Sequence, residues 1–182
     1  MAIRKVARLG HPVLRQVAQP IPVNEITMDP VQRLIRDLTE TMVEYNGVGL
    51  AAPQIFEPLR AFVMYVPPDP DAGFPGVPLT AWINPRLTIR EGNTSLGWEG
   101  CLSIPDLRGK VERPLAVEIS GLGPDGAERT VRYEGFPAVV AQHEFDHLDG
   151  VVFLDRMKDM STLTYLREYE RYWHTIDEDE EG

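Results

Sequence analysis

A chain of 182 residues, 43% of them hydrophobic and with a formal net charge of −10, suits one globular domain with a real core and is short for two. The acidic balance argues against nucleic acid as a general partner, because that affinity rests on Lys and Arg neutralising phosphates. No run of about 18 apolar residues is present to span a membrane, and the single cysteine, Cys101, excludes an internal disulfide.

The start, "MAIRKVARLGHPVLRQ", is basic but lacks the apolar stretch of a secretory signal, so a cytoplasmic protein is expected. In "MDPVQRLIRDLTETMVEYNGVG" the apolar residues Val31, Leu34, Ile35, Leu38 and Met42 recur at helical spacing. Asp29 is the expected N-cap, Pro30 fits the first helical position, and Gly47 fits the residue past the end. "AFVMYV", 61–66, reads as a buried strand. "VPPDPDAGFPGVP", 66–78, reads as an exposed loop, and "TAWINPRLTIRE" as an extended segment broken by Pro85. "LAVEISGLGPDGAERTVRYEG" predicts a hairpin about the turn "GPDG". "FPAVVAQHEFDHLDG" predicts a helix that Gly150 stops. Phe136, Val139, Val140, His143 and His147 share its core-facing stripe, and Glu144 lies about 100° around. "VVFLD" is expected as a short strand. "STLTYLREYERYWHTI" is expected as a last amphipathic helix, with Ser161 as its cap and Leu163, Leu166, Tyr169 or Glu170, and Trp173 along one side. Strands with interspersed helices and a hairpin point to an α+β fold. The expected form is one domain of mixed or antiparallel strands around a central helix that carries the histidines. Residues 177–182 are expected to be an acidic, disordered tail that does not anchor on ribosomal RNA.

His143 and His147 are four apart with Glu144 between them. On a helix that spacing lets two imidazoles grip one ion, with the glutamate in reach of the water it activates. A catalytic site of this kind takes three protein ligands and keeps one position open. The extended pattern HExxHxxGxxH fails at its third histidine, where the chain has Phe153. Glu168 and Glu170 read better as a solvated face, and His11 and His174 as structural or solvent-facing residues. Cys101, in "WEGCLSIP", is the strong candidate. A thiolate suits zinc or ferrous iron, and Gly100 beside it permits close backbone approach.

"GVGLAAPQ" at 47–54, "EGCLS" at 99–103 and "QHEFDHLDG" at 142–150 together resemble the three motifs of peptide deformylases. The likeness covers most of the chain and implies a deformylase-like catalytic domain over 1–176. It implies an α+β enzyme that removes the N-formyl group from nascent polypeptides beginning with formylmethionine and releases formate. It also implies one divalent metal per chain on Cys101, His143 and His147: ferrous iron for full activity, with zinc a common occupant. Nickel and cobalt are compatible with the same donors. Glu144 fits the general base, and Gln54 fits a side-chain donor to the developing oxyanion. The backbone N–H of Leu102 is the second donor that the family suggests. Gly49 would let a peptide pair as an added strand. Val48, Phe136, Val139 and Val140 would form the methionine pocket, and Arg108 would help to close it. Gln142 and Asp146 are expected to orient the ligating histidines, and Trp98 to stand at the cleft entrance. The expected partners are formylmethionyl peptides and nascent chains, with a transient ribosome encounter and neither nucleic acid nor membrane bound directly. Three rival readings remain: a metallopeptidase that uses the same helix with no need of Cys101, a non-enzymatic module with a closed structural metal site of four ligands, and, more remotely, a thiol hydrolase with Cys101 as nucleophile.

Overall fold

Two antiparallel sheets and two long helices carry the fold in the computed structural model, which describes residues 3–71, 73–90 and 92–173. His174, the acidic tail and the 176/177 boundary lie outside the described residues. The first sheet joins β1 (Gly49–Ala51), β2 (Ala61–Val66), β3 (Val77–Ile89), β6 (Ala116–Leu122) and β7 (Glu128–Glu134) in the order β1-β2-β3-β6-β7. The second joins β4 (Thr94–Cys101), β5 (Ile104–Pro114) and β8 (Thr164–Tyr165) in the order β4-β5-β8. Every pairing within the two sheets is antiparallel, so the α+β class stands and the mixed alternative falls away. Among the described residues no helix is long and apolar enough to cross a membrane.

Strand β2 explains the layering. Its side chains alternate between faces, and both faces are covered. Phe62 and Met64 join Trp82, Val117 and Ile119 under Ala138, Val140, Ala141 and Leu148 of α2 (Phe136–Leu148). Ala61 and Val63 join Leu50 and Ile83 under Val31, Leu34, Leu38 and Met42 of α1 (Asp29–Glu44). Each fully buried Phe, Leu, Ile or Met contributes roughly 1.5–3 kcal/mol by leaving water. The Trp82 indole N–H donates to the Tyr133 hydroxyl at 3.2 Å, which satisfies its one polar atom inside this core. A third cluster, Cys101, Ile104, Val111, Val152 and Phe153, seats the small sheet on α3 (Phe153–Arg156). Helix α2 touches β1 and β2 of one sheet and β5 of the other, which places it at their junction.

Several local expectations need correction. Met28 is the N-cap of α1. Asp29 already sits inside the helix and pairs with Arg33 one turn on, at 3.2 Å. Asn46, at φ 53, takes the left-handed position expected of Gly47, since Asn tolerates that backbone. The Asn46 and Gly47 N–H groups then close the helix on Val43 O and Met42 O at 3.0 and 2.9 Å. Strand β3 runs through Pro85, because a register shift between Ile83 and Arg86 absorbs it. The proline-rich segment is narrowed by a bridge between Asp69 and Phe74, and Phe74 packs on the core. "VVFLD" is not a strand: α3 begins at Phe153, and the Asp155 carboxylate accepts from Val152 N–H at 2.9 Å. The last helix, α4, spans only Leu166–Tyr172. Thr164 and Tyr165 are taken by β5 as a third strand, and Ser161 N–H donates to Asp159, so Ser161 is capped rather than capping.

Candidate metal centre and cleft

Helix α2 places the two histidines. Gly150, at φ 73, ends it, with Val151 N–H closing on Asp146 O at 2.9 Å. His143 and His147 therefore stand on successive turns, with ring centroids 5.1 Å apart. Strand β4 delivers Cys101 as its last residue, and Cys101 pairs with Ile104 across the turn Leu102–Ser103. Cys101, His143 and His147 each offer one donor atom, all within 4.8 Å of one another. Cys101 Sγ lies 3.3 Å from His147 Nε2. Cys101 and His147 are buried. Burial alone would push the Cys101 thiol up, but His147 and His143 outweigh it and hold the thiol well below its ordinary value. A thiolate and two imidazoles converging on one point fit a tetrahedral metal with a position to spare.

The carboxylates around this cluster divide into two kinds. Glu144 is buried, its Oε2 has no hydrogen-bond partner among the described residues, and burial pushes its carboxyl up to about 7. Expected about 100° from the histidine stripe, it nonetheless lines the same cleft. The space it occupies exists because residue 49 has no side chain: a Cβ there would lie 2.4 Å from Glu144 Oε1. Glu99 is the opposite case. Burial would raise it, but hydrogen bonds from His143 and Arg113 overcome that and hold it at about 2.

Glu99 is also a residue that sequence reasoning missed. His143 Nδ1 donates to Glu99 Oε2 at 2.8 Å, which turns its Nε2 toward Cys101 and His147. Gln142 and Asp146, expected in that role, hydrogen-bond elsewhere. Gln142 Nε2 donates to Pro114 O and Ala138 O at 2.8 and 2.9 Å, and Asp146 accepts from Arg113 and Arg156. Simple strand alternation gave no secure signal, because the register of β4 on β5 shifts between Glu99 and Cys101.

Gln54 projects into the site for a reason its own motif supplies. Its Oε1 accepts from Ala51 N–H at 2.8 Å, which fixes the amide so that Nε2 faces Cys101 Sγ at 3.5 Å and Ser103 Oγ at 3.3 Å. Ser103, the last residue of "EGCLS", is fully buried and was not singled out from sequence. Leu102 lies in the turn beside Cys101, and its carbonyl accepts from Arg8 at 3.0 Å.

Gln54, Glu99, Cys101, His143 and Glu144 line one cleft of about 510 Å³, while His147 and Ser103 are buried beside them. Val48, Gly49, Gly100, Leu102, Arg108, Phe136, Val139 and Val140 all line it. The helix stripe expected to face the core is therefore divided: Phe136, Val139 and His143 line the cleft, with Phe136 exposed, Val140 both lines it and packs in the core, and His147 is buried. Arg108 lies flat over Gly100, where a Cβ would meet its Nη1 at 2.3 Å. Trp98 also lines the cleft. Its ring packs on Tyr169 and Trp173 at centroid distances of 5.0 and 5.8 Å, with Lys110 5.2 Å from it. Arg8, Tyr45, Asn46, Pro105, Asp106 and Leu166 also line it without having been anticipated. Glu168 and Glu170 are exposed on α4, away from the donor cluster. His11 accepts from Val13 N–H at 3.2 Å and meets Phe56 edge-on, a structural placement.

Comparison with known proteins agrees with this geometry. The profile of the family described as Polypeptide deformylase matches residues 3–162. Peptide deformylase 1 of Prochlorococcus marinus (strain MIT 9313) is 43% identical over 173 residues, covering 93% of this chain and 88% of that one. Peptide deformylase of Thermomicrobium roseum is 44% identical over 171 residues, covering 93% and 94%. A class I type b peptide deformylase from Acinetobacter baumannii, solved with Met-Ala-Ser bound, superposes with a TM-score of 0.80 at 35% identity, covering 86% of this chain and 99% of that one. With more than two fifths identity across nine tenths of its length and the family profile matched from residue 3 to residue 162, the chain belongs to the polypeptide deformylase family.

Proposed function

We propose that this chain performs the family reaction, metal-dependent hydrolysis of the N-formyl group of formylmethionyl peptides, with Cys101, His143 and His147 holding the metal and Glu144 as the general base. One observation carries the assignment. A thiolate donor and two imidazoles converge within 4.8 Å of one another, and two of these donors, Cys101 and His143, line one cleft with a buried carboxylate that has an unpartnered oxygen, Glu144. When bound, a divalent cation there supplies Lewis acidity, which lowers the pKa of water and polarises the formyl carbonyl.

The protein's own groups do the rest. Glu144 takes the proton of the attacking water and later gives it to the departing amine, and its raised proton affinity suits both halves of that cycle. Gln54 Nε2 and the Leu102 N–H donate to the formyl oxygen as its negative charge develops, each such donor being worth about 2.7–4 kcal/mol in comparable sites. The edge of β1 at Gly49 is open to an added peptide strand. Val48, Val139 and Val140, with Phe136 at the rim, receive the methionine side chain, and Arg108 flanks them over Gly100. The products are formate and a free N-terminal methionine.

The donor set accepts ferrous iron, zinc, nickel or cobalt. We propose ferrous iron as the working ion, the one that the family resemblance implies. The catalytic domain is read as 1–176, with 177–182 as a tail outside it. Nascent chains as substrate favour a cytoplasmic protein that meets the ribosome transiently.

The test is formate release from formyl-Met-Ala-Ser by protein purified without oxygen and with its metal counted. Release with about one metal per chain, and no cleavage of unformylated peptides, is the expected result. Cleavage of internal peptide bonds would move the assignment to a metallopeptidase. A metal-loaded protein inert toward both substrates would mark a structural site.

A further inference from the structure

Arg113, in β5, is only 4% exposed, yet it carries a full charge into the core. Its guanidinium spends all three nitrogens on carboxylates. Nε and Nη2 donate to Glu99 at 2.8 and 3.1 Å, and Nη1 donates to Asp146 at 2.7 Å. Glu99 Oε2, which receives Nη2, also receives His143 Nδ1. Asp146 immediately precedes His147 on α2 and is held from the other side by Arg156 at 2.6 and 3.1 Å.

Stability alone does not explain this arrangement, because apolar side chains of similar volume commonly replace a buried ion pair without loss. The fork has a geometric result that apolar packing would not give. It ties β4, which carries Glu99 and Cys101, to α2, which carries His143, Asp146 and His147. A planar guanidinium fixes two carboxylates in direction as well as distance. Pinned in this way, Glu99 holds the proton of His143 on Nδ1 and leaves Nε2 to face Cys101 and His147.

We infer that Arg113 is a positioning residue for the metal centre, setting its affinity through Glu99 and His143. The inference rests on the reading of Cys101, His143 and His147 as metal ligands.

The test measures Co2+ binding by chelator competition and by the visible absorption of the bound ion, in wild type, Arg113→Lys, Glu99→Gln and the double variant. Arg113→Lys keeps the charge and loses the fork, and the dissociation constant is expected to rise roughly 10–100-fold with a changed absorption envelope. In the Glu99→Gln background the same substitution should add no more than about twofold, since one route carries both effects. Arg156→Gln, which removes only the half-exposed partner of Asp146, should stay within about twofold of wild type. If Arg113→Lys does not fold, Asp146→Asn provides the same reading, because it frees one side of the fork and leaves Glu99 and His143 intact. Lower melting temperature with wild-type Co2+ affinity would overturn the inference, as would fully additive losses in the double variant. Wild type that takes up no Co2+ would instead remove the metal reading itself.

Discussion

Gly49 and Glu144 compete for one volume: a Cβ on residue 49 would stand 2.4 Å from Glu144 Oε1 and 2.7 Å from its Cγ. The glycine on the strand edge is therefore part of how the Glu144 carboxylate is placed. Gly49→Ala should displace the Glu144 carboxylate without touching a ligand atom. A misplacement of about 1 Å costs on the order of 10²-fold in rate. The expected result is a loss of that size in kcat/KM for a formylated peptide, with metal content unchanged. Unaltered kinetics would show that Glu144 does not act from this position.

The pH dependence follows from the same carboxyl. Burial raises Glu144 to about 7, and a base must be ionised to accept a proton. Activity should therefore fall as pH drops through that region. A bound cation pulls the value down, so the acidic limb of kcat/KM is expected at or below about 7. In Glu144→Gln the limb should vanish along with most of the rate.

Stability should respond in the opposite sense. Glu144 is raised from 4.5 to about 7 in the folded chain, so its burial costs nothing below about 4.5. As pH rises through 7, the metal-free protein must ionise a buried group that the unfolded chain ionises freely. The cost approaches about 3 kcal/mol. Metal-free Glu144→Gln should accordingly be more stable than metal-free wild type at pH 8, by about 2–3 kcal/mol, and no more stable at pH 4. Glu99 has the reverse sign. Lowered from 4.5 to about 2, it contributes stability above about 4.5 that is lost as pH falls toward 2. Denaturant midpoints across pH for both proteins would check the pair.

Gln54 and Ser103 form a donor and its support. Nε2 of Gln54 reaches Ser103 Oγ at 3.3 Å, while its Oε1 is anchored on Ala51 N–H. Gln54→Ala should cost about 10²–10³-fold in kcat, the range for one oxyanion donor. Ser103→Ala should cost less, because the Ala51 anchor remains, and should leave KM nearly unchanged. Equal losses in the two variants would show that Ser103 does more than orient the amide.

The donor cluster of Cys101, His143 and His147 was more legible in the sequence than the local secondary structure. His143, Glu144 and His147 were readable because helical spacing alone places them, and Cys101 because the only thiol lies in a distinctive motif. The apolar lining was expected from the family resemblance rather than from the motifs themselves, since Phe136, Val139 and Val140 lie outside all three. The helix stripe misled in one respect: apolar residues facing a cleft and facing a core look alike in sequence, which is how Phe136 came to be expected inside. "VVFLD" and the segment after Ser161 failed for a related reason. Short apolar runs do not distinguish a strand from a helical turn, and the pairing of Thr164–Tyr165 with β5 is a tertiary choice. Glu99, Arg113 and Ser103 were hidden because each acts by touching a residue far away in the chain. For an exposed Glu or Arg the sequence would read the same.

The most direct measurement of the central claim is formate release by Glu144→Gln with its metal content determined beside wild type. The predicted result is about one metal per chain in both and a rate loss of at least 10²-fold in the variant. Wild-type rates in Glu144→Gln at full metal occupancy would contradict the assignment of Glu144 as the base on which this account depends.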